Sequence, residues 1–260
     1  MQNLKAKIID ITPDNILSHG ICGYKSLKRE GFPEKVSWIK ENSANGLKIK
    51  SILTPDDGVQ GMIEYMPAES AWRPIEAKGY MFIQCLFSGF KSKYKNKGYG
   101  GNLIDECIID AKQQKKNGVV VVTRQGSFMI GSEIFLKKDF KVADKAEPDF
   151  ELLVLKFNKK AADPKFKNTV EENPAKYKKG LTILRANQCP YTVKNVNEII
   201  AASKSLFKIT PVIVDLKTAD EAQSNPCAFG SFSIVFNGEI ISHHPISKTR
   251  FINIMNSIVN

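Results

Sequence analysis

Tyr80-Met81-Phe82-Ile83-Gln84-Cys85-Leu86-Phe87 is an apolar run of strand length. A lysine-rich stretch leads from it to Lys95-Asn96-Lys97-Gly98-Tyr99-Gly100-Gly101, after which Leu103, Ile104, Cys107, Ile108 and Ala111 recur at helical spacing. In the order strand, basic glycine loop, helix, successive backbone N–H groups and the positive helix end can hold a pyrophosphate, and glycines allow its close approach. Spacing excludes two other phosphate loops. There is no G-x-x-x-x-G-K-[ST], and a dinucleotide fingerprint needs its first glycine directly after the strand and a third where Leu103 stands. Gly118 closes the helix, and Val119 to Thr123 reads as a buried strand, parallel to the first because a helix separates them.

Outward from this unit, Ala6 to Thr12 reads as a strand and Thr12-Pro13-Asp14 as a helix start, with a hydroxyl N-cap, proline at the first position and an acid in the first turn. A second helix is expected over Pro33 to Ser43. Leu47–Leu53 and Val59–Met66 alternate about Thr54-Pro55-Asp56-Asp57-Gly58, which is the chemistry of an antiparallel hairpin. A helix around Phe128 to Lys138 and a strand near Phe150 to Phe157 complete this half. Asn158 to Lys179 is lysine-rich, holds Pro164 and Pro174 and lacks apolar periodicity, so it reads as a basic linker. The pattern then restarts. A strand at Leu181–Ala186, a helix at Pro190–Ser203, a strand at Pro211–Leu216, a short polar helix, a hairpin about Asn237-Gly238 and a last helix capped by Ser247 give the order βαβαββα. The units expected are 1–158, a linker over 159–179, and 180–260.

The 260 residues suit two modest domains, and 42% hydrophobic with 25% charged residues is the balance of a chain that buries a core. No apolar run approaches the ~20 residues of a membrane span, and Met1 to Asp10 lacks the apolar region of a secretory signal. A cytoplasmic protein without membrane contact is expected. Five widely spaced cysteines with no C-x-x-C offer neither a disulfide framework nor a zinc site, so no metal is expected. The net charge of +11 is concentrated: Ser88–Lys116 carries seven lysines against three acids and Lys156–Arg185 nine basic residues against three. Charge localised in this way favours one anionic site plus a basic linker over a broad nucleic-acid face. No nucleic-acid partner is expected.

The loop resembles the acetyl-CoA loop of the GNAT superfamily of N-acetyltransferases, [RQ]-x-x-G-x-[GA], with Lys95 in the Arg/Gln position and Gly98 and Gly100 in the others. The resemblance covers residues 1 to 157 in order of elements. It implies a mixed sheet with helices on both faces, CoA pyrophosphate on the backbone around Lys97, Gly98, Tyr99, Gly100 and Gly101, added charge from Lys95 and Lys97 flanking Asn96, and pantetheine along Cys85, Leu86 and Phe87. The loop together with Gln188-Cys189-Pro190-Tyr191 and Phe229-Gly230-Ser231-Phe232 also resembles bacterial proteins in which such a domain precedes a YoaP-like domain. The fold class implied is α/β (α+β): a GNAT-like sheet followed by a small thioredoxin-like domain. The function implied is acetyl transfer from acetyl-CoA to an amine of a small molecule or peptide, with the second domain shaping the acceptor site. The rival is a thiol-redox or binding protein whose first domain senses acyl-CoA.

Acetyl transfer needs a neutral amine, hence a base or a water chain. Glu64, in Met62-Ile63-Glu64-Tyr65, is either that base or an exposed strand glutamate. The family's leaving-group tyrosine falls at Phe135, ahead of Asp139-Phe140, and phenylalanine donates no proton. Cys189 stands at a strand-to-helix junction, where a helix N-terminus lowers a thiol pKa. It is expected to be the most reactive of the five thiols, with Cys227 as a possible resolving partner and Cys22, Cys85 and Cys107 buried. Thr192 at the second cysteine position and Phe229-Gly230 in place of the expected proline leave a redox-silent binding module open. His243-His244 and His19 lack the spacing of a metal site.

Overall fold

A computed structural model of the chain describes residues 6–172 and 174–259. Met1 to Lys5, Asn173 and Asn260, which fall in the stretches assigned to the first unit, the linker and the second unit, lie outside the described residues. The first half builds a mixed seven-stranded sheet from β1 (Lys7–Ile11), β2 (Lys48–Thr54), β3 (Gly58–Pro67), β5 (Met81–Ser88), β6 (Gly118–Thr123), β8 (Phe150–Lys156) and β7 (Lys141–Ala146), in that spatial order. The hairpin β2–β3 forms about the Thr54–Gly58 turn, and β5 and β6 are the one parallel pair of this sheet. A helix between them, α3 (Tyr99–Gln113), makes the crossover that parallel pairing demands.

Strand alternation assigns the two faces. Met81, Ile83, Val119 and Val121 pack with Leu103, Ile104 and Cys107 of α3, whereas Phe82, Val120 and Val122 point the other way. On that other face lies the second unit: Leu181, Ile183, Val196, Phe232 and Phe251 share one buried core with Phe82, Val120 and Leu152. A second shared core joins α2 (Phe32–Ser43), through Val36, Trp38 and Ile39, to Leu184, Ala186, Leu216 and Val235. Burial on both faces explains why β6 reads as an unbroken apolar run rather than an alternating one.

The second unit follows the expected order: β10 (Leu181–Arg185), α6 (Tyr191–Phe207), β11 (Val212–Asp215), α7 (Ala219–Gln223), β12 (Phe232–Phe236), β13 (Glu239–Ser242) and α8 (Lys248–Val259). Its four strands lie β11-β10-β12-β13, the first pair parallel and the others antiparallel. Thr218 starts α7 with a reciprocal capping box to Glu221, and Asn237-Gly238 turns the hairpin with both residues at positive φ.

Three expectations are corrected, and one strand is added. Thr12 caps no helix: residues 13–15 are a turn, and α1 (Ile16–His19) is a single turn of helix preceded by Asn15. The helix expected over Phe128–Lys138 shrinks to α4 (Glu133–Leu136), because Gly126 and Phe128 both take positive φ. The edge strand β7 was not anticipated from the sequence. The basic linker is structured: β9 (Lys165–Phe166) pairs with β4 (Ile75–Glu76), and α5 (Thr169–Glu172) follows. Among the described residues no helix is long and apolar enough to cross a membrane.

Candidate active site

The site begins with strands that part. β5 and β6 pair only at Met81↔Val119, Phe82↔Val120 and Ile83↔Val121. β3 nonetheless stays on β5 as far as Gly61↔Ser88, and β8 stays on β6 to Thr123↔Glu151. The gap therefore opens between two strands that are each held from outside. A bulge accompanies it: Glu64 faces Cys85 and Tyr65 faces Ile83, so Gln84 is the extra residue, and a bulge bends its strand.

A cavity of about 380 Å³ fills the gap. Gln84 to Ser88 form one wall and Val121 and Val122 the other, Phe128 to Ile130 lie across the mouth, and Gln188 to Tyr191 with Phe229 enter from the second unit. Two glycines let the units approach at this point. A Cβ on Gly31 would stand 1.9 Å from the Pro190 carbonyl oxygen, and one on Gly230 would stand 2.2 Å from that of Trp72. Tyr191 donates its hydroxyl to the Cys22 carbonyl at 2.7 Å, a direct tie across the junction.

A second cavity of about 420 Å³ continues from the first, since Ser88 and Ile130 line both. Its floor is the start of α3. Gly98 precedes the helix at φ 77°, no side chain caps it, and the first N–H to bond back is that of Asn102, to the Gly98 carbonyl at 3.0 Å. The N–H groups of the first turn are thus left for a ligand. Asp57, in the β2–β3 turn, holds the preceding loop by ion pairs with Lys91 and Lys93 and accepts the Tyr94 hydroxyl at 2.8 Å. Those three donors keep its carboxyl well below the usual range. With two lysines so engaged, Lys95 and Lys97 carry the loop's remaining charge.

The structure brings Cys85, Leu86 and Phe87 to the parted edge, and Asn96, Lys97, Gly98, Tyr99, Gly100 and Gly101 to the second cavity. Lys95 alone of the loop residues singled out lines neither. Glu64 and Cys189 both line the first cavity. The exposed-glutamate reading of Glu64 fails, since the side chain is fully buried. One oxygen is 2.5 Å from Lys35 Nζ and the other accepts the Gln188 amide at 2.9 Å. Lys35 itself is buried with its Nζ 4.3 Å from the Trp38 ring centroid.

Phe135 does not stand where a leaving-group acid is needed. It is fully buried in the core under α3, edge-on to Phe140 at 5.4 Å. Phe135→Tyr is accordingly expected to lose about 1–3 kcal/mol of stability, measured by denaturant unfolding, with no gain in rate, because its hydroxyl enters an apolar core without a partner.

The low-pKa expectation for Cys189 is also reversed. Burial pushes its thiol up, against the opposing pull of the Tyr191 backbone N–H, and burial likewise raises Cys22 and takes Cys85 up to about 12. Cys22 and Cys85 are half-buried cavity residues, not core, while Cys107 is buried as expected. Cys227 is no resolving partner in this arrangement. It lies outside the cavity with its Sγ 3.4 Å from His243 Nδ1, and burial raises it to about 12. Iodoacetamide labelling read by mass spectrometry is expected to find all three cavity thiols slower at pH 8 than free cysteine; a Cys189 that titrates below the ordinary thiol value contradicts this. Among the described residues no cluster of three or more His, Cys, Asp or Glu is placed to hold a metal ion.

Arg73, Gln84 and Phe128 are cavity residues that no sequence pattern pointed to, whereas Tyr191 and Phe229 belong to the two motifs quoted for the second unit. The first two come from a short irregular segment and a bulge, and neither leaves a periodic signal.

Comparison with known proteins adds relatives to this geometry. A YoaP-like family model matches residues 212–253. Among solved structures, a GNAT family acetyltransferase from Brucella melitensis in complex with acetyl-CoA is 15% identical, with a TM-score of 0.39 over 61% of this chain and 92% of that one. The Escherichia coli GNAT family N-acetyltransferase YhbS in complex with CoA is 11% identical, with a TM-score of 0.43 over 64% and 91%. The Bacillus subtilis protein described as the uncharacterized N-acetyltransferase YoaP is 31% identical over 254 residues, which are 96% of this chain and 98% of that protein. Identity sustained over nearly the whole of both chains makes this protein a member of the YoaP family of N-acetyltransferases.

Proposed function

We propose that the protein transfers the acetyl group of acetyl-CoA to an amine bound where the two units meet. The observation that carries this reading is the continuous path from the uncapped N-terminus of α3 into the gap between β5 and β6. The site suits the group in shape and polarity: free N–H groups and Lys97 at the phosphate end, and an apolar slot beside Leu86 and Phe87 at the other. When bound, acetyl-CoA supplies an activated thioester. The chain's own part is to hold the diphosphate on Gly98 to Gly101, to lay the unpaired edge of Cys85 to Phe87 along the pantetheine arm, and to exclude water with Gln188 to Tyr191.

Glu64 is the carboxylate of the cavity and the group assigned to take the amine's proton, with Lys35 and Gln188 fixing its position. Cys189 contributes a neutral thiol to the acceptor wall. The strand order of the second unit, with Cys189 just before α6, supports a thioredoxin-like ancestry for it. Its role in this reading is to cover the acceptor. A thiol-redox function is disfavoured by the burial of Cys189 and by the separate placement of Cys227 against His243.

The test incubates the full chain with acetyl-CoA and a panel of primary amines, reading released CoA as free thiol and N-acetyl product by mass spectrometry. Equal yields of thiol and acetylated amine are expected for at least one amine class. Thiol release without an acetylated amine overturns the reading.

A further inference from the structure

Arg73 is the one cation lining the cavity, and among the described residues it forms no ion pair; Lys35, the neighbouring buried cation, is paired with Glu64 and is not part of the lining. Arg73 is 4% exposed, with its guanidinium carbon 4.3 Å from the Phe229 ring centroid. Its Nη1 donates to two neutral acceptors, the Phe229 carbonyl and the Ser231 hydroxyl. Among the described residues its Nε and Nη2 donate to nothing and it makes no ion pair. Burial draws its pKa down to about 10, which still leaves it charged near neutral pH.

Gln84, the bulged residue, adds a second unused donor to the same cavity. It is 3% exposed, its Oε1 accepts the N–H of Trp72, the residue before Arg73, at 3.0 Å, and its Nε2 is buried without a partner. Buried donors are rarely left unmade, and an unpaired buried charge is costlier still.

The cavity's charges confirm the excess. Lys35 and Glu64 cancel, and burial keeps the thiols of Cys22, Cys85 and Cys189 and the Tyr191 phenol in their neutral forms. One positive charge remains, on a fork suited to two-point recognition of a planar anion, beside walls that are otherwise apolar.

We propose that the cavity binds a ligand carrying a carboxylate, received by Arg73 with Gln84 Nε2 as a second donor. This rests on the acyl-transfer reading and narrows its substrate class. The carboxylate has two possible sources: the acceptor, as in an amino acid, or the far end of a dicarboxylic acyl-CoA.

Calorimetric titration of the full chain addresses both. N-acetyl-leucine against N-acetyl-leucinamide, with and without CoA, reads a carboxylate on the acceptor; succinyl-CoA against acetyl-CoA reads one on the acyl chain. In at least one pair the carboxylate member is expected to bind about ten-fold tighter or more, and Arg73→Gln to bring that ratio to about one. Gln84→Glu, which adds a carboxylate to the wall of the same cavity and does not require the arginine variant to fold, is expected to cut the ratio about five-fold. Equal affinities within both pairs, or a preference that survives both substitutions, overturns the proposal. CoA titrated alone separates the two levels: if it fails to bind, the acyl-transfer reading falls, while the acid–amide pair without CoA still judges Arg73.

Discussion

Glu64→Gln is expected to lower the free energy of unfolding by about 3–5 kcal/mol, because it leaves the ammonium of Lys35 buried without a counter-charge. Both side chains of the pair are fully buried and 2.5 Å apart, one from α2 and one from the interior strand β3. Glutamine at this position still accepts hydrogen bonds from Lys35 and faces Gln188, so the loss reads the charge rather than the contact. The double variant Lys35→Met/Glu64→Leu removes both charges and is expected to recover most of the stability, as buried pairs replaced by apolar groups commonly do. Denaturant unfolding of the two single variants and the double closes the cycle. A double variant that is stable yet inactive, with CoA binding retained, assigns Glu64 to the chemistry as well as to the pair. A stable double variant with unchanged kcat removes Glu64 as the base.

Gly100→Asp is expected to weaken CoA binding by about a hundred-fold or more, measured by calorimetry, because it sets a carboxylate at the one helix end prepared for phosphate. A Cβ on Gly100 points between α3 and the segment that follows β6, 2.9 Å from Ile134 Cδ1 and 3.3 Å from Ser88 Oγ. Ile134 Cδ1 is the end of a flexible side chain and can give way, so the fold survives and the added charge decides the outcome. Gly100→Ala, which carries the same Cβ without charge, is expected to lose about ten-fold at most. Equal losses in the two variants would point to sterics, and unchanged binding in Gly100→Asp would place the phosphates elsewhere.

What was legible in the sequence was local. The Thr54–Gly58 and Asn237-Gly238 turns and the glycine loop before α3 each state their geometry in adjacent residues, and all formed where expected. Failures came where local pattern and tertiary demand parted. Phe128, Met129 and Ile130 are apolar residues that line the cavity, and the helix expected to start at them is not permitted by Gly126 and Phe128, both at positive φ. Lys141–Ala146 is a half-exposed edge strand whose charges, at Lys141, Asp144 and Lys145, break any two-residue alternation, so nothing marked it as β. The two-residue ladder of β9 on β4 is too short to carry a period.

The site divides in the same way. Gly98 to Gly101 were readable because phosphate binding uses consecutive backbone groups. The Glu64 environment was not, since Lys35 and Gln188 lie 29 and 124 residues away in sequence and meet it only through the packing of α2 and the second unit. Lys35 lies on an apolar helix face beside Val36 and Ile39, where sequence alone treats a lysine as an exposed stem. Arg73 is the clearest case, since neither its burial nor its lack of a counter-ion has any signature in Trp72-Arg73-Pro74.

The most direct measurement is hydrogen exchange of the full chain with and without CoA, read by mass spectrometry at peptide resolution. Acetyl transfer at the gap between β5 and β6 predicts that CoA slows exchange in two stretches together, residues 84–88 on the parted strand edge and 97–102 at the start of α3. Protection confined to the second unit, or no change in either stretch at saturating CoA, would contradict it.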